Sequence, residues 1–468
     1  MVRNKIKYLL LACSLSGIFH AGAQSLNAHE ALAREIFKEL IEINTTHANG
    51  NTTPAAEAMA RRLKAAGYSD KDVTVTGPNE KNKNLVVRLK GSGQMKPILL
   101  LAHLDVVEAK REDWSMDPFK LNEMDGFFYG RGSLDIKDGA AILVACMIRM
   151  KKEGFVPNRD LVLALTCGEE SGAEYNGVEW LLQNKRSLVD AAFCINVDGG
   201  DPQIKNGKRI ARTIQTSEKA VLNFSLEVKN PGGHSSVPPK ENAIYRLSKA
   251  LTNLGTYSFP VIFNETTRGY FEKVSMLESG PSSTYLKAIV RNPTDTIAIN
   301  GLSDNPYYNA MLRTTCVATM VNAGHAINAL PQTASAIVNC RVMPGTAQAD
   351  VQRAIENAVN DPIVKITSLN TLRSNEPSPL TAELMQTTGT VTEKLWPGVA
   401  VFPVMEVGAT DGVYLRGAGI PTYGISGVFV DEDDMRAHGK DERIGVKDFY
   451  DGVEYEYQLV KAFASSKK

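Results

Sequence analysis

The sequence predicts an α/β protein: a mixed, largely parallel sheet with helices on both faces, interrupted by an inserted α+β domain. Three observations predict it. Short apolar runs at Ile98–Leu101, Leu161–Leu165 and Phe193–Val197 read as buried strands. Helical periodicity falls between them, over Gly139–Lys152 and Val178–Asn184, as parallel crossovers require. Near residue 215 the pattern changes to clean alternation, with Leu222, Phe224, Leu226 and Val228 on one face of a half-exposed strand.

The elements follow in order. Leu32, Ile36, Leu40 and Ile41 form one helical stripe, and Thr52-Thr53-Pro54 opens a second helix that runs to about Ala66. Strands are predicted at Val73–Val75 and Leu85–Leu89, then the buried run before His103, the helix Gly139–Lys152, the strand Leu161–Leu165, the helix Val178–Asn184 and a strand ending at Val197. Beyond 215 the alternating strand is followed by a helix over Asn242–Leu254, short strands at Val317–Val321 and Ala336–Val342, and a helix over Ala349–Val359. The stretch 256–312 is rich in Tyr and Phe but poorly periodic, and no element is assigned to it. The first pattern resumes with Val399–Val404, Pro421–Ile425 and a C-terminal amphipathic helix on Val446, Phe449, Val453, Val460 and Phe463. These changes divide the chain into 24–214 with 371–468, and an insertion over 215–370.

A chain of 468 residues is long for one core and suits such a division. Its 52 basic and 52 acidic residues leave no electrostatic footprint for nucleic acid or an anionic membrane. Arg3, Lys5 and Lys7 precede the apolar run Tyr8–Phe19, no acidic residue comes before Glu30, and Ala21-Gly22-Ala23 matches a cleavage site. Residues 1–23 therefore read as a secretory signal, and the mature chain is expected to be secreted or periplasmic, with no integral membrane segment. Leu11-Ala12-Cys13 offers an alternative, lipid anchoring at Cys13. Five cysteines remain after cleavage. An odd count argues against a full disulfide framework, and their apolar contexts suggest reduced core packing.

Chemistry-bearing residues recur where apolar runs end. His103-Leu104-Asp105, the pair Glu169-Glu170 and Asp198 each follow a predicted strand, Asp135 sits in a Gly-rich turn before a helix, and His438 lies in a charged loop. Each has a bland reading: a buried histidine, a helix cap, a solvated acidic turn, a surface histidine. Together they give two imidazoles and several carboxylates with no cysteine, a donor set that suits divalent cations. Strand-end positions belong to the carboxyl edge of an open α/β sheet, where such folds place their sites. Two adjacent carboxylates can divide the work, Glu170 as ligand and Glu169 as general base.

These motifs, in this order, resemble the acetylornithine deacetylase and succinyl-diaminopimelate desuccinylase family, which includes aminoacylases and the glutamate and Gly-X carboxypeptidases. The resemblance covers nearly all of the mature chain. It implies a zinc-peptidase-like catalytic domain, and for 215–370 a lid or dimerisation domain, which is compatible with a homodimer or with a monomer. It implies two divalent ions, Zn²⁺ first and Co²⁺ or Mn²⁺ as alternatives. His103 and Asp198 would hold one, Glu170 and His438 the other, and Asp135 would bridge them. Glu169 would be the base, and Asp105 would brace His103. His234, in Pro231-Gly-Gly-His-Ser-Ser, would stabilise the oxyanion, within its own subunit or across a dimer. Asn328 and Arg341 resemble contacts to a substrate carboxylate, and Thr410 lies in a loop, Gly408–Gly412, similar to one that borders the substrate. The peptide after the bridging aspartate is often cis in this family, but here the following residues, Ile-Lys-Asp-Gly, depart from many relatives.

The expected activity is cleavage of a small peptide next to a free carboxylate, with N-acyl-amino-acid hydrolysis as the alternative. The segment Trp114–Phe119 and the aromatic insertion are similar to the Gly-X carboxypeptidase branch, which favours apolar side chains or acyl groups. An aminopeptidase or a non-catalytic peptide-binding protein on the same scaffold are the other readings.

Overall fold

A computed structural model describes residues 26–171, 174–373 and 376–465 of the chain. The expected secretory signal over residues 1–23 and the alternative lipidation site, Cys13, lie outside the described residues.

A ten-stranded mixed sheet organises the larger part of the fold. Its path runs through Val73–Thr76, Asn84–Leu89, Arg159–Thr166, Met95–His103, Phe193–Asn196, Thr422–Gly424, Lys208–Glu218, Gln203–Lys205 and Val430–Asp431, with Ala400–Glu406 paired to Lys208–Glu218. The central pairings are parallel, and antiparallel pairs flank them. Period-two alternation explains how both faces are covered. Ile98, Leu100 and Ala102 join one buried cluster with the helices Ala28–Glu42, Lys137–Lys152 and Val446–Phe463. Leu99 and Leu101 point the other way, onto Val178, Leu181 and Leu415. That two-sided burial is why the strand reads as an unbroken apolar run.

A second, four-stranded antiparallel sheet is drawn from Thr315–Ala323, Thr333–Val342, Ala220–Lys229 and Lys365–Ser368. Leu222, Phe224, Leu226 and Val228 bury one face under the helices Ala243–Thr256 and Gln348–Val359. The strand Thr315–Ala323 is an edge, and most of its residues are exposed.

The stretch left unassigned by periodicity folds as four helices, Glu265–Leu277, Gly280–Arg291, Thr296–Ser303 and Pro306–Leu312. Three carry side-chain caps: Asn264 in a capping box with Thr267, Asp295 to Ile297 and Ala298, and Asn305 to Tyr307 and Tyr308. They pack Tyr270, Phe271 and Met311 onto Phe402, Val404 and Met405, so they cover an edge of the large sheet and not the small one.

One cysteine expectation is corrected. Cys316 and Cys340 face each other across paired strands and form a disulfide. Cys146, Cys167 and Cys194 are free and buried, as core packing predicts.

Candidate active site

Strand register assembles the site. The strand Met95–His103 pairs in parallel with Arg159–Thr166 so that His103 lies opposite Thr166, and with Phe193–Asn196 so that Leu101 lies opposite Asn196. Parallel strands end at the same edge, so His103, the Glu169-Glu170 turn and Asp198 emerge together. Asp135 arrives from the turn preceding the helix Lys137–Lys152, and His438 from the loop before the strand Arg443–Gly445. The Asp135–Ile136 peptide is cis.

Asp135 lies between the two histidines. Its Oδ1 is 3.1 Å from His103 Nε2, and its Oδ2 is 3.0 Å from His438 Nε2. His438 Nε2 also lies 2.7 Å from Glu170 Oε1, and His103 Nε2 lies 3.8 Å from Asp198 Oδ2. Donor atoms of His103, Asp135 and Asp198 fall within 4.8 Å of one another, as do those of Asp135, Glu170 and His438, and those of His103, Glu169 and Glu170. All five residues expected as ligands, and the expected base, are thus brought together.

Carboxylates dominate the electrostatics of the site. Among the described residues, Asp135, Asp198, Glu169 and Glu170 form no ion pair with lysine or arginine, and the ion pairs of Asp135, Asp198 and Glu170 are all with histidines. Burial pushes the carboxyls of Glu169 and Asp198 well above their ordinary range. Burial alone would lower the His103 imidazole, yet Asp135, Asp198 and Glu169 around it hold its pKa well above the usual value. Hydrogen bonds to Asp135 and Glu170 raise His438 to about 10. Nitrogen and oxygen donors without sulfur, gathered at these distances, fit divalent cations.

Asp105 is placed differently from its expected bracing role. His103 Nδ1 faces the backbone carbonyl of Asp105 at 2.9 Å, while the Asp105 carboxylate is 4.0 Å away. That carboxylate instead accepts the backbone N–H groups of Gly168 (2.7 Å), Glu169 (3.3 Å) and Glu170 (2.9 Å). The imidazole is still oriented by this residue, through the main chain, and the side chain holds the Glu169-Glu170 turn.

Of the other sequence-predicted residues, His234 and Arg341 lie on strands of the insertion and Asn328 just before one; among the described residues none of the three shows a hydrogen bond or ion pair to this cluster. His234 is exposed on a two-stranded pairing with Ala329, and Ser235 N–H donates to the Asn328 carbonyl. His234 Nδ1 accepts from Ser236 N–H at 3.2 Å, so a neutral imidazole carries its proton on Nε2. Arg341 lies opposite Val221 and Thr315 in the small sheet. Thr410 is buried; its hydroxyl donates to Glu218 at 2.8 Å and lies 3.4 Å from Asn196 Nδ2, beside Asp198.

Sequence reasoning missed the buried carboxylates that hold the site's loops. Asp411 accepts from Thr166 Oγ1 (2.8 Å) and Asn176 Nδ2 (2.5 Å), and Glu442 accepts four donors from the Asp135 turn. Glu442 follows His438 by four residues and was visible only as part of a charged loop.

The sequence profile of peptidase family M20/M25/M40 matches residues 99–462. The chain is 31% identical over 382 residues to the human N-fatty-acyl-amino acid synthase/hydrolase PM20D1, covering 78% of this chain and 74% of that protein. It is 29% identical over 392 residues to the probable carboxypeptidase S-like 2 of Dictyostelium discoideum, covering 81% and 74%. Among solved structures, the M20 family metallo-carboxypeptidase Sso-CP2 from Sulfolobus solfataricus superposes with a TM-score of 0.71 at 15% identity, covering 92% of this chain and 99% of that one.

Proposed function

The chain belongs to peptidase family M20/M25/M40, and on that premise we propose that this metal-dependent hydrolase cleaves the amide bond of small peptides next to a free C-terminal carboxylate. The observation that carries the proposal is Asp135 shared between two donor groups, one completed by His103 and Asp198 and the other by Glu170 and His438. The proposed cofactors are two divalent ions, Zn²⁺ in the first instance with Co²⁺ or Mn²⁺ able to substitute. When bound, such a pair supplies Lewis acidity at the scissile carbonyl and a more acidic water.

The chain's own residues would perform the remaining work. Glu169 accepts a proton from the attacking water as the C–O bond forms, then delivers it to the amine as the C–N bond breaks. Its burial, which raises its proton affinity, supports that double role. His234 would offer Nε2–H to the oxyanion, in its own subunit or a partner's. Arg341 and Asn328 would grip the substrate carboxylate, since a guanidinium fork matches that shape, and the Thr410 loop would border the substrate.

Hydrolysis of N-acyl amino acids is the second reading, favoured by the similarity to proteins named N-fatty-acyl-amino acid synthase/hydrolase. Export follows from residues 1–23, and the Cys316–Cys340 disulfide supports an oxidising compartment. The proposed division remains 24–214 with 371–468, and 215–370. The exposed edge strand with Val317, Met320 and Val321 is the surface on which a homodimer would form.

A substrate panel tests the activity: dipeptides with free and amidated C-termini, alongside N-acyl amino acids of increasing chain length. Amidation should lower kcat/KM by about 10² or more, the loss expected when a site built for an ionic partner meets a substrate lacking it. Equal turnover of amidated substrates, or a requirement for a free amine, would point to an aminopeptidase instead.

A further inference from the structure

Two charged residues, Glu442 and Arg131, bond the main chain of two members of the donor cluster, Asp135 and His438. Glu442 is completely buried, and its carboxylate is saturated by a single short turn. Oε1 accepts the N–H groups of Leu134 (2.7 Å) and Asp135 (3.0 Å); Oε2 accepts the Arg131 guanidinium (2.6 Å) and Gly132 N–H (3.2 Å). Three of these four donors are backbone amides, so the carboxylate fixes the path of the chain that presents Asp135.

Arg131 carries the connection onward. Its Nη1 is engaged by Glu442, while Nη2 donates to the carbonyls of Gly439 (3.0 Å) and His438 (3.4 Å). The guanidinium is buried 5.0 Å from the centroid of the Trp114 ring, so its plane is held between a carboxylate, two carbonyls and an aromatic face. The carbonyl contacts matter because His438 has a φ of 62°, a left-handed conformation uncommon for residues other than glycine, and they help to hold it there. Ser115 adds a second tie, donating its N–H and hydroxyl to Asp441 at 2.8 Å each.

We propose that the Arg131–Glu442 ion pair is a positioning device that couples the Asp135 turn to the His438 loop, so that the ion shared by these two ligands is bound only when both are in place. It rests on the two-ion reading above. Each member has a separate part: Glu442 sets Asp135, which serves both ions, whereas Arg131 reaches the backbone of His438, which serves one. A fork is needed for this, because a lysine ammonium at the same place has no second nitrogen with which to span the carboxylate and the carbonyls. An ion pair of purely structural use would lower the melting temperature and leave metal affinity alone.

The test is a zinc titration of the full chain, stripped of metal, against a chromogenic chelator. It compares the parent with Arg131→Lys, Glu442→Gln, His438→Ala and the double variant Arg131→Lys with His438→Ala, with circular dichroism and melting curves as folding controls. The parent should take up two equivalents. In Arg131→Lys one equivalent should keep parental affinity and the other weaken about tenfold or more, the range found when groups supporting ligands are removed. Its kcat should fall with KM nearly unchanged. On the His438→Ala background the same substitution should change affinity no further, since coupled residues are non-additive. Glu442→Gln should weaken both equivalents. Two equivalents of parental affinity in a folded Arg131→Lys protein would overturn the inference, and so would loss of folding in every variant of the pair, which would make it a general element of the fold. A parent that binds no zinc would overturn the two-ion reading itself.

Discussion

The Asp105 carboxylate accepts the backbone N–H of Glu170 at 2.9 Å, and shares its other oxygen between Gly168 and Glu169. A buried carboxylate is thus spent on the main chain of a turn that carries both the proposed ligand Glu170 and the proposed base Glu169. The neighbouring imidazole is left to the same residue's carbonyl. Asp105→Asn would keep the shape but remove the charge that three amides converge on. Activity should fall about 10–100-fold with the fold retained. Steady-state kinetics with metal content measured in parallel checks this; an Asn variant of parental kcat would show that the turn holds itself.

Glu169 stands apart from its neighbour by what it lacks. Glu170 lies 2.7 Å from His438, whereas no ion pair to a histidine is found for Glu169 among the described residues. Glu169→Gln should therefore lower kcat by about 10²–10⁴, the range for removal of a general acid–base group, and leave metal stoichiometry at the parental value. Loss of metal together with activity would make Glu169 a ligand instead.

How far the sequence led is clear from these two residues. The strand-end donor residues were legible because parallel strands buried on both faces read as apolar runs, and whatever follows each run must meet at one edge. Asp135 and His438 needed the family resemblance, since a turn aspartate and a loop histidine have ordinary explanations. The roles of Asp105 and Glu442 were not legible, because their partners are backbone amides more than 60 residues away in Asp105 and more than 300 in Glu442. The helices from 265 to 312 escaped because they are short and carry aromatic faces whose period is weak, although Asn264, Asp295 and Asn305 mark their starts. The parity of the cysteines could not reveal a single cross-strand bridge that leaves three thiols free.

Stability should depend on pH through Glu456. This carboxylate is buried with neither oxygen hydrogen bonded, and burial pushes its pKa from 4.5 up to about 8, against the opposing pull of Arg212. The folded state then holds a proton that the unfolded chain releases, so the stability present below about 4.5 is lost as pH rises toward 8. At about 1.4 kcal/mol per pKa unit, the loss is on the order of a few kcal/mol. Glu456→Gln should melt like the parent near pH 4.5 and higher than the parent at pH 8 and above. Parallel curves for the two proteins across that window would rule the effect out.

Five side chains, His103, Asp135, Glu170, Asp198 and His438, are proposed to hold two divalent ions that share Asp135. The direct measurement is elemental analysis of the purified full chain together with a dipeptide hydrolysis assay, before chelation, after it, and after zinc is returned. Close to two ions per chain are expected, with hydrolysis that disappears when they are removed and recovery that is complete only as the second equivalent binds. Full activity at one ion per chain, or any undiminished hydrolysis by the metal-free protein, would contradict the proposal.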